Sequence, residues 1–288
     1  MNAVQQTVTS KDGTKIAYEQ LGTGPLVILV ASSLADRSDT KRLAALLASQ
    51  FTVINYDRRG RGLSGDTLPY RVEREIEDLA ALINKTGRSA CVFGSSSGAV
   101  LALRAAASGL NITKLALYEP PFRVDQSGPV PPDDLDQEIS RLLAQDRRSE
   151  AVKLFMMRAI GVPTAGIMLM RLLPGVWSKL KAMAHTIPYD IAIMGGTASG
   201  APLQTDDWVA VKAPALVIDG EKSPAAQRNA NRALVDVLPN AQGETLPGQG
   251  HSAPVMAPKK LAPILAEFFA ASVRSDDEAP HEHGEETR

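Results

Sequence analysis

Leu26-Val27-Ile28-Leu29-Val30 is an unbroken aliphatic run, long enough for a strand and too short for a helix. A strand without polar alternation is buried on both faces, which is the situation of an inner strand in a parallel sheet. Comparable runs at 51–55, 90–93, 115–119, 215–219 and 242–246 read as further strands. Lys11-Asp12-Gly13-Thr14 reads as the turn of a hairpin joining 4–9 to 16–20. Helical patterns lie between the strands. Val72, Ile76, Leu79, Ala80 and Ile83 share one face, opposite Glu73, Arg74, Glu77 and Asp78, and Leu261, Ile264, Leu265, Phe268 and Phe269 repeat the spacing. Alternating strand and helix predicts an α/β fold: a mostly parallel central sheet with helices on both faces.

The alternation stops at Glu119 and resumes at Lys212. A proline-rich stretch (Pro120, Pro121, Pro129, Pro131, Pro132) leads into helical patterns at 135–145, 151–160, 165–173 and 177–184, then a glycine-rich loop at 195–200. This predicts an α/β core over 1–120 and 209–271, an inserted helical cap over 121–208, and a disordered acidic tail over 272–288. The cap holds Met156, Met157, Met168, Met170, Met183 and Met194. They either pack the cap's own core or form an adaptable apolar pocket wall.

A net charge of −1 gives no electrostatic footprint for nucleic acid or an anionic membrane. The single cysteine, Cys91, excludes an intrachain disulfide or a cysteine-cluster zinc site and suits a reducing compartment. Residues 1–15 lack the apolar centre of a signal peptide, so a soluble, cytoplasmic protein is expected.

Gly94-Ser95-Ser96-Ser97-Gly98 matches G-x-S-x-G, follows the apolar run 90–93 and opens a helical run at 99–107. That strand–turn–helix setting is the one in which the motif presents a nucleophile. The Ser96 hydroxyl would project above the sheet, and the Ser97 N–H at the helix start would face a developing oxyanion. Serine needs a base at neutral pH. Of four histidines, His281 and His283 lie in the tail and His185 lies in the cap, where a structural role is the plainer reading. That leaves His251, in the loop Pro247-Gly248-Gln249-Gly250-His251 after the last strand; a satisfied surface histidine is its bland alternative.

Gly60-Arg61-Gly62-Leu63-Ser64-Gly65 also spells the dinucleotide fingerprint G-x-G-x-x-G. Asp57-Arg58-Arg59 separates it from its strand, and Pro69 precedes the next helix, so no helix N-terminus faces a pyrophosphate. The three arginines read as loop anchors rather than phosphate ligands.

The order of these elements resembles the α/β-hydrolase superfamily, in its capped esterase, lactonase and C–C hydrolase branch. The resemblance rests on Tyr56-Asp57-Arg58-Arg59-Gly60-Arg61-Gly62-Leu63-Ser64-Gly65 after strand four, the elbow one strand later, the cap after strand six, and the place of His251; it covers about residues 4–271. Two departures follow. The family's acid commonly stands after strand seven, where this chain has Ser223, so the resemblance leaves three options: Glu119 at the end of strand six, Asp219 or Glu221 nearby, or no acid at all. The family's His-Gly after strand three is replaced by Ala31-Ser32-Ser33, where the Ser33 N–H could still complete an oxyanion hole.

The resulting expectation is a serine hydrolase acting on an ester or lactone with an apolar moiety. Ser96 would be the nucleophile, His251 the base and Glu119 the orienting acid, with Ser33 and Ser97 as oxyanion donors. No cofactor and no metal are expected. The partner would be a small substrate with an apolar part, with neither nucleic acid nor membrane, and a homodimer is the assembly considered. Dehalogenase and epoxide-hydrolase chemistry are disfavoured, because the relatives that perform them carry an aspartate nucleophile. A non-hydrolytic lyase, cyclase or acyl-transfer enzyme, and a ligand-binding homologue without catalysis, are the rival classes.

Overall fold

The computed structural model describes residues 4–271. Its strands are β1 (Val4–Thr9), β2 (Lys15–Leu21), β3 (Leu26–Val30), β4 (Thr52–Tyr56), β5 (Ala90–Ser95), β6 (Ile112–Tyr118), β7 (Ala215–Gly220) and β8 (Ala241–Leu246). They form one sheet in the order β1-β2-β4-β3-β5-β6-β7-β8. β1, β2 and β4 pair antiparallel, and every pairing from β4 through β3 to β8 is parallel. The expected acidic tail, with His281 and His283, lies outside the described residues.

The core helices are α1 (Arg37–Leu47), α2 (Val72–Thr86) and α3 (Ser97–Ala107). Between β6 and β7 stand α4 (Leu135–Ala144), α5 (Arg148–Phe155), α6 (Thr164–Leu172), α7 (Val176–Ala182) and α8 (Ile187–Met194). After β7 come α9 (Ala225–Val237), α10 (Ala253–Met256) and α11 (Pro258–Ala270). Local chemistry sets their ends. A capping box, in which the Asp36 side chain accepts from the Ser38 N–H and Asp39 accepts from the Asp36 N–H, starts α1. Gly87, left-handed at φ 64°, stops α2.

The aliphatic strands are buried on both faces because they divide their side chains between two cores. Leu26, Ile28 and Val30 of β3 belong to one core, which also holds Leu79 of α2, Val100 of α3 and Leu234 of α9. Val27 and Leu29 point the other way, toward Leu43 and Leu47 of α1 and Leu261 and Leu265 of α11. The insertion has its own cluster, built on Ile139, Val152, Phe155, Trp177 and Ile187. Met156 and Met183 are buried in it, Met157 and Met168 are exposed, and among these methionines only Met194 lines the cavity described below. Met156 and Met183 thus pack the insertion's own core, and Met194 alone of the six faces the cavity.

Two elements differ from the sequence reading. The strand expected to run through Glu119 ends at Tyr118, and Glu119 itself turns into the left-handed region at φ 46°. α8 has no counterpart in the periodicity, because Ile187-Pro188-Tyr189-Asp190-Ile191-Ala192-Ile193-Met194 is apolar nearly all round and shows no polar face.

The elbow requires its glycines. A Cβ on Gly94 would stand 2.4 Å from the Gly98 carbonyl oxygen, and one on Gly98 would stand 2.5 Å from the carbonyl oxygens of both Val30 and Ala31. Backbone cannot yield as a flexible side chain can. Gly98→Ala should therefore destabilise the protein by about 3 kcal/mol, read as a lowered midpoint in denaturant unfolding. An unchanged midpoint would contradict this packing.

Candidate active site

Ser96 occupies the turn between β5 and α3 with φ 54° and ψ −126°. Such a conformation costs a non-glycine residue about 1–3 kcal/mol and persists only where the surroundings impose it. They do so here: the Ser96 N–H donates to the Tyr118 carbonyl oxygen at 2.9 Å, and the Ser96 carbonyl accepts from the Ala99 N–H at 2.9 Å. Leu34 (φ 53°), beside Ser33, and Glu119 are also left-handed non-glycine residues. Three strained positions thus surround one place.

That place is a cavity of about 620 Å³, lined by Ser33, Ser96, Ser97, Glu119 and His251. All five residues singled out in the sequence therefore face the same space. Its remaining wall is largely apolar, including Leu135, Phe155, Ile160, Ile191 and Met194. Ser97 is the first residue of α3, where backbone N–H groups lack intrahelical acceptors. Among the described residues, the backbone hydrogen bonds take up neither the Ser33 N–H nor the Ser97 N–H.

Glu119 is fully buried, and its carboxylate is committed on both oxygens. Oε2 lies 2.7 Å from His251 Nδ1, while Oε1 accepts from the Gly220 N–H at 2.7 Å and from the Ser223 hydroxyl at 2.5 Å. A carboxylate at Nδ1 favours the proton there and leaves Nε2 with a free lone pair. Ser223, at the position where the resembling family would carry its acid, thus supports a carboxylate delivered from β6. The histidine loop is pinned twice. The Tyr118 hydroxyl donates to the Gly250 carbonyl oxygen at 2.8 Å, and Glu221 accepts from the Gly248 N–H at 2.7 Å.

The other carboxylates considered for His251 are placed elsewhere. Glu221 holds the loop backbone rather than the imidazole. Asp219 is buried with Oδ1 unpartnered, and burial, aided by the nearby Glu119 charge, pushes its pKa up despite a hydrogen bond from Thr245. His185 does not line the cavity; its Nε2 is 4.0 Å from Asp66 on a partly exposed side chain.

The three arginines after β4 are buried anchors. Arg58 forks onto both Glu75 oxygens at 2.7 and 2.8 Å, Arg59 forks onto Asp78 at 2.8 and 2.7 Å, and Arg61 donates to Asp190 at 2.8 Å. Gly62 is left no room by Asp57, and the next helix after this loop starts only at Val72, so the glycines do not open onto a helix N-terminus as the dinucleotide fingerprint requires.

One residue lining the cavity was missed in the sequence. Asp190 of α8 is buried and accepts from Arg58 at 2.9 Å, from Arg61 and from the Ser97 hydroxyl at 2.8 Å. Burial alone would raise its pKa; the Arg61 and Arg58 guanidiniums outweigh that and hold it below the usual carboxylate range. A signal existed. Asp190 is the only acid between Glu150 and Asp206, and a lone carboxylate in an apolar helix needs buried cations.

The model of the Alpha/beta hydrolase family matches residues 27–264. The crystal structure of an alpha/beta hydrolase from Sphaerobacter thermophilus DSM 20745 superposes with a TM-score of 0.85 at 50% identity, over 92% of this chain and 100% of that one. The uncharacterized hydrolase YraK of Bacillus subtilis (strain 168) is 41% identical over 95 residues, 32% of this chain and 35% of that protein. A zearalenone hydrolase of Cladophialophora bantiana is 31% identical over 109 residues, 35% of this chain and 41% of that protein. The chain thus spans well under half the length of these two relatives.

Proposed function

Because the chain belongs to the alpha/beta hydrolase family, we propose that it is a serine hydrolase cleaving an ester or lactone with an apolar moiety. The observation that carries this is the contact between Glu119 and His251 Nδ1, on the rim of the cavity that Ser96 lines. In the proposed reaction, His251 Nε2 takes the Ser96 proton as Oγ attacks the substrate carbonyl. The Ser33 and Ser97 N–H groups stabilise the tetrahedral oxyanion. The imidazolium, steadied by Glu119, returns its proton to the leaving alkoxide. Water then cleaves the acyl-enzyme by the same relay. The insertion over 121–208 serves as the cap, and its apolar side chains receive the apolar part of the substrate.

The similarity to proteins named as hydrolases supports this class. The non-hydrolytic reading rests on two departures, the altered loop after β3 and the missing acid after β7. Glu119 against His251 answers the second of these. Among the described residues, no helix is long and apolar enough to cross a membrane.

A serine-reactive fluorophosphonate tests the proposal. It should give one stoichiometric adduct, located by mass on the peptide containing Ser96 and missing in Ser96→Ala. No adduct at high reagent concentration would favour the ligand-binding class.

A further inference from the structure

The oxyanion donors assigned above sit on two separate segments, the loop 31–33 after β3 and the first turn of α3. Gly98 packs against the Val30 and Ala31 carbonyl oxygens, which sets the two segments side by side two residues before Ser33, and an oxyanion must meet both donors at once. The loop also lacks the glycine that the resembling family places there. Its path is held from outside, by carbonyl oxygens bonded to buried guanidiniums: Arg61 Nη1 reaches the Ser32 carbonyl at 2.7 Å, and Arg58 Nη1 reaches that of Ala31 at 3.4 Å. Both arginines then converge on one carboxylate. Asp190 Oδ2 takes Arg61 Nη2 at 2.8 Å, and Asp190 Oδ1 takes Arg58 Nη1 at 2.9 Å. The same Oδ1 takes the Ser97 hydroxyl at 2.8 Å.

We propose that Asp190, supplied by the insertion, is the positioning residue of the oxyanion hole, joining the Ser33 segment and the Ser97 segment through Arg58, Arg61 and the Ser97 hydroxyl. The inference rests on the serine-hydrolase reading and deepens it. The seating of α8 on the core and the geometry of the hole become one event.

The arrangement is aimed rather than merely satisfied. Arg61 Nε is buried without a partner, so the guanidinium is held for its two Nη contacts. Four charges, two arginines with Asp190 and Glu75, balance at the site, which spares the developing oxyanion a net negative neighbour. Tyr70 closes the cluster: its hydroxyl donates to Glu75 at 2.9 Å, and its ring stacks on Tyr189 with centroids 3.9 Å apart. Asp190 touches no reacting atom in this scheme and acts only through the groups it holds.

Asp190→Asn keeps the shape of the side chain, but one of its two positions becomes an amide that cannot accept from an arginine. With a short-chain aryl ester, kcat should fall about 100-fold while KM stays within about twofold, the signature of an interaction used in the transition state. A trifluoromethyl ketone, whose Ser96 adduct carries an oxyanion, should lose affinity by the same factor. The matching alcohol, which forms no adduct, should bind as before. If Asp190 only docks the insertion, ketone and alcohol would weaken together, and that result overturns the proposal, as does a folded Asp190→Asn with wild-type kcat. Should Asp190→Asn not fold, Ser97→Ala decides, since it keeps the backbone N–H and removes only the hydroxyl link. A drop in kcat and ketone affinity of about tenfold supports the proposal, and wild-type values for both overturn it. Wild-type protein without turnover would fail the serine-hydrolase reading itself, a result distinct from either variant outcome.

Discussion

Ser96→Ala should lower kcat on a short-chain aryl ester by about 10⁶, because the loss of a nucleophile costs as much as the loss of the whole triad. The substitution is structurally mild. Alanine keeps the Cβ already present at φ 54°, and the Ser96 side chain makes no capping hydrogen bond to α3 that its removal would break. The backbone bonds to Tyr118 and Ala99 do not involve the side chain. The unfolding midpoint should therefore stay within about 0.5 kcal/mol of wild type, separating chemistry from stability. Residual turnover above the water rate is expected, since the oxyanion donors remain. Steady-state kinetics with active-site titration measures this, and a variant retaining a tenth of wild-type kcat would rule out an acyl-enzyme on Ser96.

Glu119→Gln should lower kcat by about 10⁴ with little change in KM. The glutamine amide can still accept from the Gly220 N–H and the Ser223 hydroxyl through its oxygen. It would then present –NH2 to His251 Nδ1 at the 2.7 Å contact. Two donors cannot share that contact, so the imidazole moves its proton to Nε2, the nitrogen needed as a base. Asp219→Asn is the informative control. Asp219 Oδ1 has no partner and its pKa is pushed up by burial, so an amide there should leave kcat within about threefold. Comparing the two variants on one ester settles the acid: full rate in Glu119→Gln, or a collapse in Asp219→Asn, would transfer the role.

Much of this architecture was legible in the chain because its causes are local. β3 announces itself by five aliphatic residues that both cores can bury, and Gly94 to Gly98 announces a turn whose glycines have backbone where a Cβ would be. His251 emerged because, of the chain's four histidines, it alone stands in the loop directly after the last strand. α8 escaped because periodicity needs a polar face to show, and the residues that this helix leaves partly or fully exposed, Pro188, Ile191, Ala192 and Met194, are themselves apolar.

Local pattern thus decided the sheet, the elbow and the base, since each depends on residues adjacent in the chain and on the periods of strand and helix. The acid and the Asp190 network depend instead on pairs 132, 132 and 129 residues apart, for Glu119 with His251, Asp190 with Arg58 and Asp190 with Arg61. Such pairs are set by the register of β6 against β7 and by how α8 seats on the core. A buried charge must find an opposite charge or a donor within bonding distance, and only the folded chain determines which of its 32 acidic residues does so.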